Sequence, residues 1–148
     1  MKKKFLVSLL AASMLSSVYP ARAQQPTKIS RIGILTSGNP TNRHTPAAKA
    51  FHQALRELGY VEGKDILIEY RFAVGRFQAL SESAEELVRL NVDVIVTTAT
   101  DATLAAQRAT RTIPIVMGGI GDPVGAGLVA SLARPGGNVT GMPLLPWI

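Results

Sequence analysis

The chain has 148 residues, 16 lysines and arginines against 10 acids, a formal net charge of +6 and no cysteine. The lack of thiols excludes disulfides and a lipid-modified cysteine. Four of the bases (Lys2, Lys3, Lys4 and Arg22) sit near the N-terminus, and without them 12 bases face 10 acids, a net of +2. The basic character is therefore no pointer to nucleic acid, and bases scattered singly among few aromatic residues build no stacking platform.

The first stretch, "MKKKFLVSLLAASMLSSVYPARAQQ", has a basic n-region, an apolar run from Phe5 to Val18, and a small-x-small site at Ala21-Arg22-Ala23. That pattern predicts a secretory signal over 1–23, cleaved after Ala23, and its apolar part is too short and wrongly flanked for a membrane span. A periplasmic or secreted protein is expected. A polar leader follows over 24–30, and the remaining chain suffices for one domain.

Strand-like and helical patterns then alternate. "RIGIL" at 31–35 reads as the first strand. Over 46–58, Ala47, Ala48, Phe51, Leu55 and Leu58 recur at helical spacing, with Thr45 as N-cap, Pro46 at the first helical position and Gly59 as the stop. "DILIEYR" at 65–71 alternates apolar and charged residues, as a half-exposed strand near an edge does. Residues 77–90 form a second amphipathic helix with Leu80, Ala84, Leu87 and Val88 on one face. "VDVIVT" at 92–97 predicts a central strand buried on both faces, and 102–110 an alanine-rich helix. "TIPIVM" at 112–117 and "GNVTGM" at 137–142 are the fourth and fifth strands. The fold class is α/β, a doubly wound parallel sheet of about five strands.

Right-handed crossovers put every strand-to-helix turn on one edge of such a sheet, where ligands of open α/β proteins bind. Thr45, Asp101 and Asp122 are each placed to cap a following helix there. The expected site is built from 36–39, 98–101 and 118–122.

Several chemistries fail at this edge. "GGIGDPVGAG" has one residue too many for a dinucleotide loop and follows the fourth strand instead of the first, and no P-loop lysine follows any glycine run. Asp101 lacks the acidic cluster a phospho-acceptor needs, and reads as a helix cap, a ligand contact or both. Ser37, His44 and Asp101 have no G-x-S-x-G context that would make a hydrolase triad. His44 and His52 read as surface residues, and two lone histidines without cysteine make no transition-metal site. What remains is neutral and rich in hydroxyls and glycine: Thr36, Ser37, Gly38, Thr97, Thr98, Thr100, Gly118, Gly119 and Gly121. Backbone amides and hydroxyls of that kind hold a small solute, and a carboxylate suits the helix N-termini.

The phrases "FHQALRELGYVEGKDILIEYR", "LVRLNVDVIVTTAT" and "ATRTIPIVMGGIGDPVGAGLVASLARPGGNVTG" resemble the ABC-transporter substrate-binding protein family that includes tryptophan- and tyrosine-type binding proteins. The resemblance runs from Arg31 to Met142. It implies a type I periplasmic-binding-protein fold, two α/β lobes closing on a solute that is passed to a membrane permease. It implies no catalysis and no cofactor. Lobe-one contacts would fall at Thr36, Ser37 and Gly38, at Thr98, Ala99, Thr100 and Asp101, and at Gly118, Gly119 and Gly121. Members continue past "NVTG" into a second lobe, whereas this chain reads "MPLLPWI". The expectation is an N-terminal lobe over 31–142, an irregular tail over 143–148, weak or no solute binding, and a lobe face open to self-association. Two other readings are a stand-alone α/β domain that dimerises through that face, and a small hydrolase using Ser37.

Overall fold

The computed structural model describes residues 28–74 and 76–143. The signal and its cleavage site, leader residues 24–27 and tail residues 144–148 lie outside the described residues. Strands β1 (Ser30–Thr36), β2 (Ile66–Phe72), β3 (Val94–Thr97), β4 (Ile115–Ile120) and β5 (Val139–Pro143) form one sheet. Its order is β2-β1-β3-β4-β5, and every pair is parallel. Helices α1 (Pro46–Glu57), α2 (Phe77–Arg89) and α3 (Thr100–Ala109) connect the first four strands. The doubly wound α/β expectation holds.

Local signals account for the ends of α1. The Thr45 hydroxyl accepts from the Ala48 amide at 3.2 Å, Pro46 opens the helix, and Gly59 (φ 88°) turns the chain out of it. By contrast, α3 begins at Thr100 with Ala99 as its N-cap, so Asp101 is not the cap. Its carboxylate sits in the first turn and accepts from the Ala102 amide at 2.8 Å, where the helix dipole favours negative charge. Nor does Asp122 start a helix. It closes one isolated turn, its Oδ1 accepting from the Gly125 amide at 2.8 Å, and Gly127 (φ 70°) ends it.

The sheet's two faces are covered unequally. Leu35, Ile95, Ile115 and Met117 pack against Leu80, Ala84 and Leu87 of α2 and Ala102, Ala105 and Ala106 of α3. Small residues allow that close approach: a Cβ at Gly33 would stand 3.0 Å from the Leu87 methyls. The opposite face carries Ile32, Ile34 and Ile66, against which Phe51 and Leu55 of α1 pack. No residue of α1 is fully buried, and Leu58 is 73 % exposed despite its helical spacing. Strand β3 is central, as expected, but buried on one face only; Val94 and Val96 remain half-buried on the α1 side. Strand β2 is the edge strand anticipated. Strand β5 runs one residue past the predicted end, to Pro143, where an edge position tolerates a missing N–H.

The amino ends of β1 and β3 are tied by Asp93. Its carboxylate accepts from the Arg31 amide at 2.8 Å and pairs with Lys28, while its own amide donates to the Arg31 carbonyl at 2.8 Å. The Lys28 and Arg31 bonds hold the Asp93 carboxyl below its ordinary pKa. A depressed folded pKa gives stability that is complete above the unfolded value of about 3.9 and is lost as pH falls through the folded one. Asp93→Ala is therefore expected to cost about 1 kcal/mol at pH 7 in chemical denaturation. The gap to the parent should close below pH about 4; a gap that stays constant down to pH about 2 would show that the charge is not involved.

Candidate functional site

The crossover direction reverses between β1 and β3. The chain leaves β1 toward β2 by way of α1 on one face, and leaves β3 toward β4 by way of α3 on the other. Neighbouring strand ends diverge at such a point and leave a crevice above the sheet. Thr36 ends β1 there with Ser37 and Gly38 after it, and Thr98, Ala99 and Thr100 follow β3.

One hydrogen-bond set joins the two turns. Thr36 is buried, and its Oγ1 accepts from the Gly38 amide at 3.2 Å and from the exposed Thr98 hydroxyl at 3.0 Å. Both bonds use Thr36 as acceptor, so its own proton remains to be donated. Of the first amides of α3, which helix geometry leaves without a carbonyl partner, that of Ala102 is taken by the Asp101 carboxylate. Thr97 does not belong to this surface. It is fully buried on the opposite face, where its hydroxyl meets that of Thr103 at 2.7 Å.

Gly118 and Gly119 lie inside β4 and not in a loop after it, because the strand runs on to Ile120. The pairing with β5 slips between Gly118 and Ile120, and Gly119 takes φ 71°, a left-handed conformation that costs a side chain about 1–2 kcal/mol. Gly118 faces the α1 side in line with Thr36 and Thr98, and Gly121 follows the strand at the exposed end. Asp101 lies behind this edge in the first turn of α3, one carboxylate oxygen already engaged.

Sequence reasoning missed the flank of the edge. A pocket of about 400 Å³ lies between α1 and the sheet, and Thr36 and Thr98 of the edge are among the residues that line it. Ile34 and Val96 line it from the sheet, Ala47, Ala48 and Phe51 from the helix, and Tyr70 and Phe72 from β2. The Tyr70 and Phe72 rings stack with an interplanar angle of 1°, and the Arg43 guanidinium lies 4.1 Å from the Tyr70 centroid. His52, expected at the surface, is half-buried against the same ring and hydrogen-bonded to its hydroxyl. Burial pushes the Tyr70 pKa up, Glu62 adds to the rise and Arg43 opposes it, so the phenol keeps its proton at neutral pH. With the imidazole proton on Nδ1, Nε2 accepts from Tyr70 and the N–H faces Glu62, 3.7 Å away. The alternation of Tyr70 and Phe72 with charged neighbours was the available signal; nothing in the sequence placed Arg43 above them. Among the described residues no group of three or more acidic or histidine side chains could hold a metal ion, and no helix is long and apolar enough to cross a membrane.

A doubly wound parallel sheet with a neutral, hydroxyl-lined switch point defines an α/β lobe of the periplasmic-binding-protein kind. The chain belongs to the ABC transporter substrate binding protein family, whose sequence model matches residues 43–143. It is 41 % identical over 95 residues to a tyrosine-binding protein of Clostridioides difficile strain R20291, covering 64 % of this chain and 28 % of that protein. A conserved domain protein of Vibrio cholerae superposes with a TM-score of 0.70 at 37 % identity, over 80 % of this chain and 40 % of the other. An ABC domain from Streptococcus pneumonia, solved in complex with L-Trp, gives 0.69 at 31 % identity, over 78 % and 38 %. The chain thus spans between a quarter and two fifths of the length of these relatives. Substrate-binding proteins bind small solutes and work with ABC permeases, and those of ABC importers are usually extracellular or periplasmic.

The Thr36–Thr98 tie gives an unequal pair of expected outcomes. Thr36→Val removes a buried acceptor of two hydrogen bonds at nearly constant volume, and should cost about 1–2 kcal/mol and several degrees of Tm. Thr98→Val removes an exposed donor and should cost less than about 0.5 kcal/mol. Equal losses in thermal denaturation would mean that the Gly38 bond adds nothing to the one the two hydroxyls share, and no loss at either position would mean that the hydroxyls do not hold the turns together.

Proposed function

We propose that this chain is the solute-binding component of an ABC import system, and that residues 28–143 supply one wall of its solute cleft. The observation that carries the reading is the switch-point edge: hydroxyls and amides from two turns, tied by the Thr36–Thr98 bond, in a chain that belongs to a solute-binding family. The contacts are proposed at Thr36, Ser37, Gly38, Thr98, Ala99 and Thr100, with Gly118, Gly119 and Gly121 letting the solute approach the backbone of β4. A carboxylate would be favoured at the α3 N-terminus by the helix dipole. Asp101 carries less of this role than its position in the sequence implied, since its side chain bonds inside the helix.

The solute class follows from the relatives, one named for tyrosine and another solved with L-Trp. An aromatic amino acid is the proposed solute. Export through the N-terminal signal, with cleavage after Ala23, accords with delivery to a membrane permease. No step of this role needs a nucleophile or a cofactor.

One wall gives a solute about half of the contact area it would have in a closed cleft. Assayed as it stands, the 148-residue chain should hold L-Tyr or L-Trp no tighter than about 100 µM by calorimetry, because the orientational cost of binding is met by few contacts. Micromolar or tighter affinity would show that these residues form a complete site and would overturn the one-wall reading.

A further inference from the structure

The side of α1 that borders the edge strand β2 carries a feature the solute edge does not use. Lys49, His52 and Arg56 fall at i, i+3 and i+7 of the helix and so share one face. With Arg43, His44 and Gln53 they line a groove of about 570 Å³, closed on its far side by Glu62 and Tyr70. That volume falls within the range of small-molecule sites. Both walls belong to this chain, and neither Thr36 nor Thr98 takes part.

The charge of the groove is unbalanced. Three permanent bases, Arg43, Lys49 and Arg56, and two histidines face a single acid. That acid is already engaged, since Glu62 lies 3.7 Å from His52 Nδ1. Nearby Glu57 accepts from Gln53 at 2.8 Å. The sequence supplies no other counter-charge along the helix. Thr45, Pro46, His52 and Gln53 stand three and four residues from Lys49, and His52, Gln53, Gly59 and Tyr60 stand so from Arg56. Among the described residues no carboxylate lies within 4.0 Å of Arg43, Lys49 or Arg56. Like charges gathered on one face repel, and an anion between them relieves that repulsion.

Spacing decides the kind of anion. From Lys49 to Arg56 the helix rises about 10 Å, and Arg43 and His44 lie beyond its amino end. One phosphate, sulfate or carboxylate group does not span that distance, whereas phosphate groups held in a row do. Guanidinium and ammonium both suit phosphate oxygens, the first as a planar fork and the second as a point charge. We propose that this groove binds an anion presenting several phosphate groups in a row, held by Lys49 and Arg56 along the helix and by Arg43 and His44 at its amino end. The same chemistry comes from a soluble polyphosphate or from neighbouring headgroups of an anionic lipid surface. The site goes beyond the proposed transport role and shares no residue with the contacts proposed for the edge.

The test is calorimetry and phosphorus NMR on the purified chain at about 50 mM salt, where screening is weak, with tripolyphosphate set against inorganic phosphate. Tripolyphosphate should bind at least about ten-fold tighter. Lys49→Gln and Arg56→Gln together should weaken it by about ten-fold or more. Arg111→Gln, at an exposed base between α3 and β4, should change it by less than about two-fold. All three side chains are exposed, and thermal denaturation reports that the variants are folded. Retention of the chain on phosphatidylglycerol vesicles, reversed by tripolyphosphate, identifies lipid headgroups as the source. Tripolyphosphate binding without such retention identifies a soluble polyphosphate, and either result supports the site. No binding of tripolyphosphate at about 5 mM overturns the proposal. So does equal affinity for inorganic phosphate, or a loss from Arg111→Gln as large as that from the groove variants. Affinity unchanged in the Lys49→Gln, Arg56→Gln double variant overturns it as well, because the anion would then sit elsewhere, for example on Lys2, Lys3 and Lys4. None of these outcomes bears on the edge, where the Thr36 and amino-acid measurements apply.

Discussion

Strand handedness is the constraint on which the rest of this structure depends. A crossover between parallel strands of a right-twisted sheet is itself right-handed. Because β2 lies on one side of β1 while β3 and β4 lie on the other, the helix after β1 and the helix after β3 must pack on opposite faces. Between them no helix covers the strand ends, and the two turns that meet there must satisfy their polar groups in another way. They do so through the Thr36 hydroxyl, which takes up one amide and one hydroxyl from its two neighbours. The same constraint that opens the crevice therefore leaves small polar residues along it.

The two faces of the sheet answer that constraint differently. On the α2–α3 side, small residues at Gly33, Ala84, Ala102, Ala105 and Ala106 draw the layers together, and the leucines between them are fully buried. On the other side one helix faces a wider sheet and touches it mainly through Phe51 and Leu55. Across the pocket from the alanines of α1 stand the stacked Tyr70 and Phe72 rings of β2 with Arg43 over them. Alanine thus means close packing in α3 and open space in α1, depending on what stands across from it. Packing of the first kind supplies the stability that lets the second side stay loose.

That difference also explains what the sequence made legible. Periodicity placed all five strands and three helices, and the edge character of β2 was readable from the alternation of Ile66, Ile68 and Tyr70 with charge. Chemistry that depends on one residue's nearest neighbour was less accessible. Asp101 and Asp122 both looked like caps, yet α3 begins two residues early, and Gly125 and Gly127 stop the chain after Asp122 before a helix can propagate. The β4 glycines read as a loop because glycine weakens strands, whereas here two of them make a bulge that the pairing with β5 holds in place. Hydroxyls failed as markers of the edge for a related reason. Thr97 and Thr98 are adjacent in sequence but point to opposite faces, one sealed against Thr103 and the other open, and only the strand's period tells them apart.

The edge and its flank divide the recognition chemistry of this lobe in a way that the net charge does not reveal. Along the switch point, donors and acceptors are neutral, and the only fixed polarity is that of backbone amides at a helix start. Such groups select by geometry, and tolerate a zwitterion because neither of its charges meets a like charge. On the flank, one guanidinium lies on an aromatic stack. Arg43 cannot simply turn into solvent at no cost, since leaving the Tyr70 and Phe72 rings forfeits a contact worth about 0.5–1 kcal/mol at an exposed site. The stack thus orients the cation before any anion arrives. Orientation in advance lowers the entropic cost of ordering a long side chain on binding.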